Sequence, residues 1–448
     1  MLSAESFQTF SLHSMPEGKS ITRILAASIQ AVEPGAAVER FVRREGDNLI
    51  VADRSYNLGA FRHVAMLGIG KASVAMSTRL AGILGARLGA GLVVTKQAGA
   101  QAEFPFTLLE GDHPIPGARS LEAGQKALEF VSLLGPDDLL FCLVSGGGSA
   151  LVTVPRERLP LEDMQALTAE LLACGARVDE INSLRRRLER LKGGDLVRAS
   201  KGATIVSLIL SDVVGNPLEA IASGPTAPDP TSKNEALALV EKYKLPGKIP
   251  ASILAALKHV PETPKPGDPI FEKVQNVIVG SSLLAAQAAL AQAETEGFHP
   301  YLLRIDLQGE ARQAAFELAT FLRQAKQTGD PVPPPACVVV GGETTVTVKG
   351  KGKGGRNTEL ALAAVMELAD FPGVMLVTLA TDGEDGSTDA AGAVVSGVTF
   401  RRAAGLGLHP GDFLDRNDSY AFFAALEDLL KPGPTGTNVN DLGFLFIL

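Results

Sequence analysis

No two of the three cysteines, Cys142, Cys174 and Cys337, stand close enough for a CxxC pair. That excludes the common zinc ribbons and the even frameworks of disulfide-rich secreted proteins. Cys142 and Cys337 lie inside apolar runs, which predicts buried thiols and a reducing, cytoplasmic compartment. Residues 1–14 lack the charged start and apolar core of a signal peptide. No apolar run approaches the length of a membrane span. There is no basic excess either: the net charge is -8 and the pI is near 5.5. Nonspecific nucleic-acid binding, which needs a basic surface, is therefore not expected. Heptads and short-period repeats are also missing.

What is present is ordinary for a globular chain of two or more domains: 448 residues, 46% hydrophobic and 21% charged. Apolar runs at 64–69, 92–95, 106–109, 138–144 and 204–210 read as strands. Helical patterns at 20–32, 120–134, 161–173 and 180–199 alternate with them. Near-continuous apolar strands between helices predict a parallel α/β sheet covered on both faces. The stretch PETPKPGDP at 261–269 reads as a linker, giving domains at 1–262 and 270–448. Strands at 276–279, 301–305 and 374–380 follow, with helices at 281–296, 310–327 and 418–429. The polar run 433–441 precedes a last strand.

The second half centres on residues 341–362, GGETTVTVKGKGKGGRNTELAL. A Gly341-Gly342 turn, the Glu343 carboxylate and a loop bearing Lys349, Lys351 and Lys353 lead to Arg356 at a helix start. Glycine-rich backbone and cations beside a helix N-terminus suit an anion. A solvated basic hairpin is the alternative.

Further glycine turns sit at strand ends. Gly68-Ile69-Gly70-Lys71 is not a Walker A loop, because Ala65 replaces its first glycine and Ala72 follows the lysine. Nor is it a sound dinucleotide fingerprint, since Ser73 replaces the third glycine and Lys96 ends the next strand. Lys71 there is nevertheless well placed to meet a phosphate as a point charge. Ser145, Gly146, Gly147, Gly148 and Ser149 end a buried strand and read as a phosphate cradle. They are not a hydrolase elbow, Leu151 standing where its second glycine belongs. The run NSLRRRLERLKGG at 182–194 reads mostly as a solvated basic helix face. Asn182, Arg185 and Lys192 are its ligand-binding candidates. Asp212 and Asp382 end strands, where either could hold Mg²⁺ or accept a hydroxyl proton. Asp385 and Asp389 do not fit an EF-hand and read as capping and turn residues. His113 is either a turn-packing residue or a base.

Donors, cations and strand-end carboxylates without an obvious nucleophile favour phosphoryl transfer. A nicotinamide-dependent reductase and a non-catalytic small-molecule binder are the other classes considered.

Taken together, GIGKAS, LVSGGGSAL, INSLRRRLERLKGG, LSDVVGNPLEAIASGPTAPDP, the 341–360 stretch, ATDGEDGSTDAAGA and GPTGTNVNDL resemble glycerate 2-kinases with a C-terminal MOFRL domain. Some members of that family carry the label hydroxypyruvate reductase. The resemblance spans about residues 20–448. It implies a Rossmann-like domain followed by an α/β MOFRL domain, with the site in the cleft between them. It also implies ATP- and Mg²⁺-dependent phosphorylation of D-glycerate at its 2-hydroxyl. Lys71, Glu343 and Arg356 match the family's active-site positions, with Asp212 as a further catalytic candidate. Small molecules, D-glycerate and ATP, are then the expected partners of a monomer or homodimer. Closure on binding is expected to bend the chain at 261–269 and 350–355.

Overall fold

Runs such as Val-Ala-Met-Leu-Gly-Ile and Leu-Leu-Phe-Cys-Leu-Val offer water no polar face, and both fold as strands buried along their whole length. The structure, a computed structural model, describes residues 2–97, 104–156 and 159–448. It divides into two units, Pro34–Val279 and Met1–Glu33 with Gly280–Leu448.

The first unit opens with an antiparallel ribbon of β1 (Val42–Glu45), β2 (Asn48–Val51) and β3 (Arg54–Asn57). Its main sheet holds β4 (Val64–Ile69), β5 (Ala90–Thr95), β6 (Thr107–Glu110), β7 (Leu139–Val144), β8 (Thr204–Leu210) and β9 (Val274–Gly280). The spatial order is β6-β5-β4-β7-β8-β9, and the pairs from β6 through β8 are parallel. Counted within the sheet this is 3-2-1-4-5-6, the doubly wound order. The helices Ser73–Leu84 and Ala118–Ser132 pack on it. The direction of winding reverses between β4 and β7. β4 and β7 stay paired to their last residues, Ile69 and Val144, and the connections that leave them diverge; the crevice outside those strand ends is where such sheets bind ligands.

Two expectations fail in this unit, each for a local reason. The helix expected at 180–199 is Val178–Leu188 and a short second helix, Asp195–Ala199. Gly193 and Gly194 between them adopt φ of 57° and 85°, which no helix continues through. The proline-rich 261–269 stretch does not divide the units. It is packed: Thr263 Oγ1 donates to Asp229 Oδ2 at 2.8 Å, and Asp229 N donates to the Pro264 carbonyl at 2.9 Å. The chain then enters β9, which adds to the first sheet rather than opening the second. The units part at Val279 and Gly280, not within 262–270.

The second unit is a mixed sheet of β10 (His299–Glu310), β11 (Ala336–Thr345), β12 (Val374–Ala380), β13 (Gly392–Ser396), β14 (Leu429–Leu430) and β15 (Asp441–Ile447). Its order is β10-β11-β15-β12-β13-β14. Only β10 and β11 run parallel; the other registered pairs are antiparallel. The expected Gly341-Gly342 turn is absent, because β11 runs straight through to Thr345. Gly342 serves close approach instead: a Cβ there would lie 2.1 Å from the Leu307 carbonyl oxygen, where β10 is irregular. The first 33 residues complete this unit. The helix Gly18–Gln30 packs on Ser282–Thr295, with Arg23 bonded to Glu296 at 2.5 and 2.6 Å.

Candidate active site

In the first unit the crevice at the sheet's switch point is built by two glycine turns that lock together. Lys71 N donates to the Gly146 carbonyl at 3.0 Å, and Ala72 N donates to Ser145 Oγ at 3.0 Å. Gly70 must be glycine, with φ of 132° and a would-be Cβ 2.2 Å from Ser145 Oγ. Ser145 is thus a buried clip between the turns rather than an open phosphate donor. Gly147, at φ 81°, brings the backbone up to two side chains. A Cβ there would lie 3.1 Å from the His113 ring and 3.3 Å from Lys71 Cε. His113 therefore stands beside Lys71 in the crevice. Burial first, then the Lys71 and Lys96 charges, lowers its proton affinity, so the imidazole is neutral near pH 7.

Asp212, after β8, lies against the same loop: a Cβ on Gly146 would sit 2.1 Å from its Oδ2. At the far end of the loop, Ser149 and Ser223 hydroxyls are 2.8 Å apart. Ser223 Oγ donates to Asn182 Oδ1 at 3.4 Å, and Arg185 Nη2 donates to the Ser149 carbonyl at 3.2 Å. Ala222 and Ser223 both hold positive φ, 49° and 62°, a strained conformation outside glycine that concentrates at functional sites.

The basic run after Asn182 is not a solvated face. Arg186 and Arg187 are 3% and 0% exposed and pair with Asp229. Lys192 is also buried, 2.7 Å from Glu189. Burial pushes its pKa down to about 8 against the pull of that carboxylate. Glu189 in turn accepts from Thr153 Oγ1 and Val154 N, so Lys192 belongs to a structural cluster behind the loop.

In the second unit Arg356, the first residue of the helix Arg356–Glu367, is held between two carboxylates. Its Nη1 donates to Glu343 Oε1 at 2.6 Å, and its Nε to Asp441 Oδ2 at 2.5 Å. Burial alone would lower its proton affinity; Asp441 and then Glu343 outweigh this and raise it. Glu343 thus helps to orient the Arg356 guanidinium. Asp441 carried no signal beyond standing where the polar 433–441 run meets the last strand.

The anion-nest reading of 349–356 is corrected. The amides of Asn357 and Thr358 are capped by the chain's own Asp385 at 3.0 and 2.8 Å. Asn417 Oδ1 takes the amides of Lys349 and Gly350, and Asp418 Oδ1 that of Lys353. The amides of Gly352 and Gly355 go to the Arg416 carbonyl and Thr358 Oγ1, so most of the loop's backbone is pinned by the chain itself, and the lysine side chains are exposed. The capping role read for Asp385 holds. Asp389 meets Tyr420 and Lys431 at the surface. Asp382 sits in a turn packed on 433–437, its carboxylate accepting from Glu384 N at 3.2 Å and its carbonyl from Thr435 N.

Residues 20–258 match a domain of unknown function, DUF4147, and residues 336–441 match the MOFRL family. Glycerate 2-kinase of Pyrococcus horikoshii is 37% identical over 426 residues, covering 94% of this chain and 95% of that protein. The crystal structure of glycerate kinase from Thermotoga maritima superposes with a TM-score of 0.87 at 36% identity, covering 96% of this chain and 99% of that one. This chain belongs to the glycerate kinase family. A relative from Agrobacterium vitis, 39% identical over 85% of this chain and 86% of its own length, bears the name hydroxypyruvate reductase. Within the glycerate kinase family, the doubly wound sheet and the MOFRL sheet are the two units described above. Among the described residues no helix is long and apolar enough to cross a membrane.

Proposed function

We propose that this chain transfers the γ-phosphoryl group of ATP to the 2-hydroxyl of D-glycerate, releasing ADP and 2-phospho-D-glycerate. The observation that carries this is Lys71, fixed beside the triglycine loop at the switch point of a doubly wound sheet. The names borne by its relatives point to the same reaction. A migrating phosphoryl group spreads negative charge over its oxygens, so a fixed cation at a glycine-lined crevice lowers the barrier. Lys71 is that cation in the first unit; Arg356, oriented by Glu343 and Asp441, is the fixed cation of the second. The 2-hydroxyl oxygen bonds to phosphorus as the bond to ADP breaks, and the hydroxyl proton passes to Asp212. Asp382 is the alternative acceptor.

Among the described residues no cluster of three His, Cys, Asp or Glu is arranged to hold a metal. Magnesium arriving with ATP does not require one, because it is bound through one or two carboxylates plus phosphate oxygens. Asp212 fits that need, with Asp382 as the alternative; the ion would supply charge neutralisation at the phosphates. We place the enzyme in the cytoplasm, as a monomer or homodimer acting on small molecules. The free thiols of Cys142 and Cys337, both buried, are in keeping with a reducing compartment.

The test is ADP release, coupled to a reporter enzyme, with D-glycerate as acceptor, followed by phosphorus NMR of the product. ATP-dependent turnover and a secondary phosphate ester are expected. Hydroxypyruvate with NADH or NADPH should give no turnover; rapid nicotinamide oxidation without ATP would overturn the reading.

A further inference from the structure

Three consecutive arginines on the helix Val178–Leu188 are treated differently by the fold. Arg186 and Arg187 share Asp229, and Arg187 also reaches Glu262 at 3.3 Å. Arg185 has no carboxylate partner among the described residues. Among the described residues its one hydrogen bond goes to the Ser149 carbonyl. The carboxylate whose charge reaches it, Glu189, is already taken by Lys192, Thr153 and Val154.

An arginine carries five N–H donors in a planar fork, and leaving most of them unmatched in a partly desolvated position is costly. Burial lowers the proton affinity of this guanidinium, only partly offset by Glu189, as expected where a cation lacks its anion. Asn182, three residues earlier and so on the same helix face, reaches Ser223, whose hydroxyl meets that of Ser149. One helix face thus presents an amide, and a guanidinium without a carboxylate among the described residues, to the end of the triglycine loop. Lys71 stands at the middle of that loop, beside Gly147.

We propose that Arg185 binds the carboxylate of the acceptor substrate, and so selects a hydroxy acid over an uncharged polyol. This rests on the kinase reading given above. The two cations on one loop divide by chemistry. A compact ammonium suits a phosphoryl group whose geometry changes during transfer, whereas a planar fork matches a static carboxylate through two parallel bonds.

Steady-state kinetics of R185K and R185Q, with D-glycerate and ATP varied separately, test it. R185K keeps the charge and loses the fork; R185Q loses both. Both should raise KM for D-glycerate by about 10- to 100-fold, the range for losing a charge-assisted pair. KM for ATP should stay within about twofold of wild type, since the fork does not touch the nucleotide in this reading. With glycerol as acceptor, R185Q should match wild type, so preference for the acid collapses. A rise confined to KM for ATP would assign the guanidinium to a nucleotide phosphate instead. Unchanged KM values for both substrates, in variants with wild-type circular dichroism and melting, would overturn the proposal. In either case a wild-type enzyme that still phosphorylates D-glycerate leaves the kinase reading standing; a wild type inactive on D-glycerate sinks that reading itself.

Discussion

Asp441 grips Arg356 through two bonds, Nε to Oδ2 at 2.5 Å and Nη2 to Oδ1 at 3.3 Å. Glu343 takes the remaining nitrogen. A guanidinium held from three sides keeps one orientation, and its partners become positioning residues for whatever anion it meets. Burial raises the Asp441 pKa to about 6, against the opposing charge of Arg356. Above pH 6 the group is a carboxylate and the grip is complete; as pH falls through 6 it takes up a proton and the grip weakens. Wild-type kcat should therefore decline on the acid side of about pH 6. D441N makes the weakened state permanent, so kcat at pH 8 should drop by about 10- to 100-fold, as when an orienting partner is removed. Its acid limb should flatten. A D441N profile that keeps the wild-type limb would assign that limb to another group.

Gly146 holds open the space that Asp212 fills. An added methyl would lie 2.1 Å from a carboxylate oxygen, so either the loop or the carboxylate must move. G146A should lower kcat by about 100-fold, the scale of a misplaced catalytic group, and cost about 1–3 kcal/mol of stability from overpacking. Gly82 is the control. It lies inside the helix Ser73–Leu84 with open space around its would-be Cβ. G82A should leave kcat unchanged and stabilise by about 0.5–1 kcal/mol. Equal kinetics for the two variants would remove Asp212 from the reaction.

The parallel sheet was legible because strands buried on both faces have no choice but to be uniformly apolar, as at 64–69 and 139–144. The switch-point turns were legible because Gly70 and Gly147 hold backbone conformations that side chains resist. Charge was read less well. A run of arginines looks solvated unless the carboxylate that buries it is known, and Asp229 lies 42 positions beyond Arg187. The same holds for Asp385, which sits 28 residues from the amide it caps. A lysine-and-glycine loop resembles an anion nest until Asn417 and Asp418 are seen to occupy it. Asp441 was invisible for that reason too: its partner is 85 residues away. Proline density at 261–269 signals only that the chain is neither helix nor inner strand, and such a segment packs as readily as it swings.

Asp229 tests how the buried arginines are carried. It is fully buried, lies between Arg186 and Arg187, and also accepts from Thr231 N and Thr263 Oγ1. The Nε atoms of both arginines are buried without a hydrogen bond. Removing the carboxylate strands two desolvated cations, which costs far more than a surface pair is worth. D229A should lose about 3–5 kcal/mol in urea unfolding. A loss near that of a surface pair would mean that water or Glu262 takes over the charge.

The chain's beginning is fastened by Asp428, also fully buried. Ser11 N and Ser11 Oγ both donate to it at 2.8 Å, and Arg402 donates to it at 2.6 Å while lying 4.2 Å over the Phe10 ring. Phe10 N donates to the Glu427 carbonyl at 2.9 Å. Residues 10–13 form a single helical turn, too short to be stable alone, so these contacts and not helix propensity hold it in place. S11A removes one of the three partners of a buried carboxylate and should cost about 1–2 kcal/mol. D428A leaves Arg402 and Ser11 without their acceptor and should cost more. Hydrogen exchange locates the damage: amides of β13 and of the helix Thr399–Gly405 should lose protection, while those of β4 and β7 keep theirs. Loss spread evenly over both sheets would show that this fastening is not local to the unit that contains it.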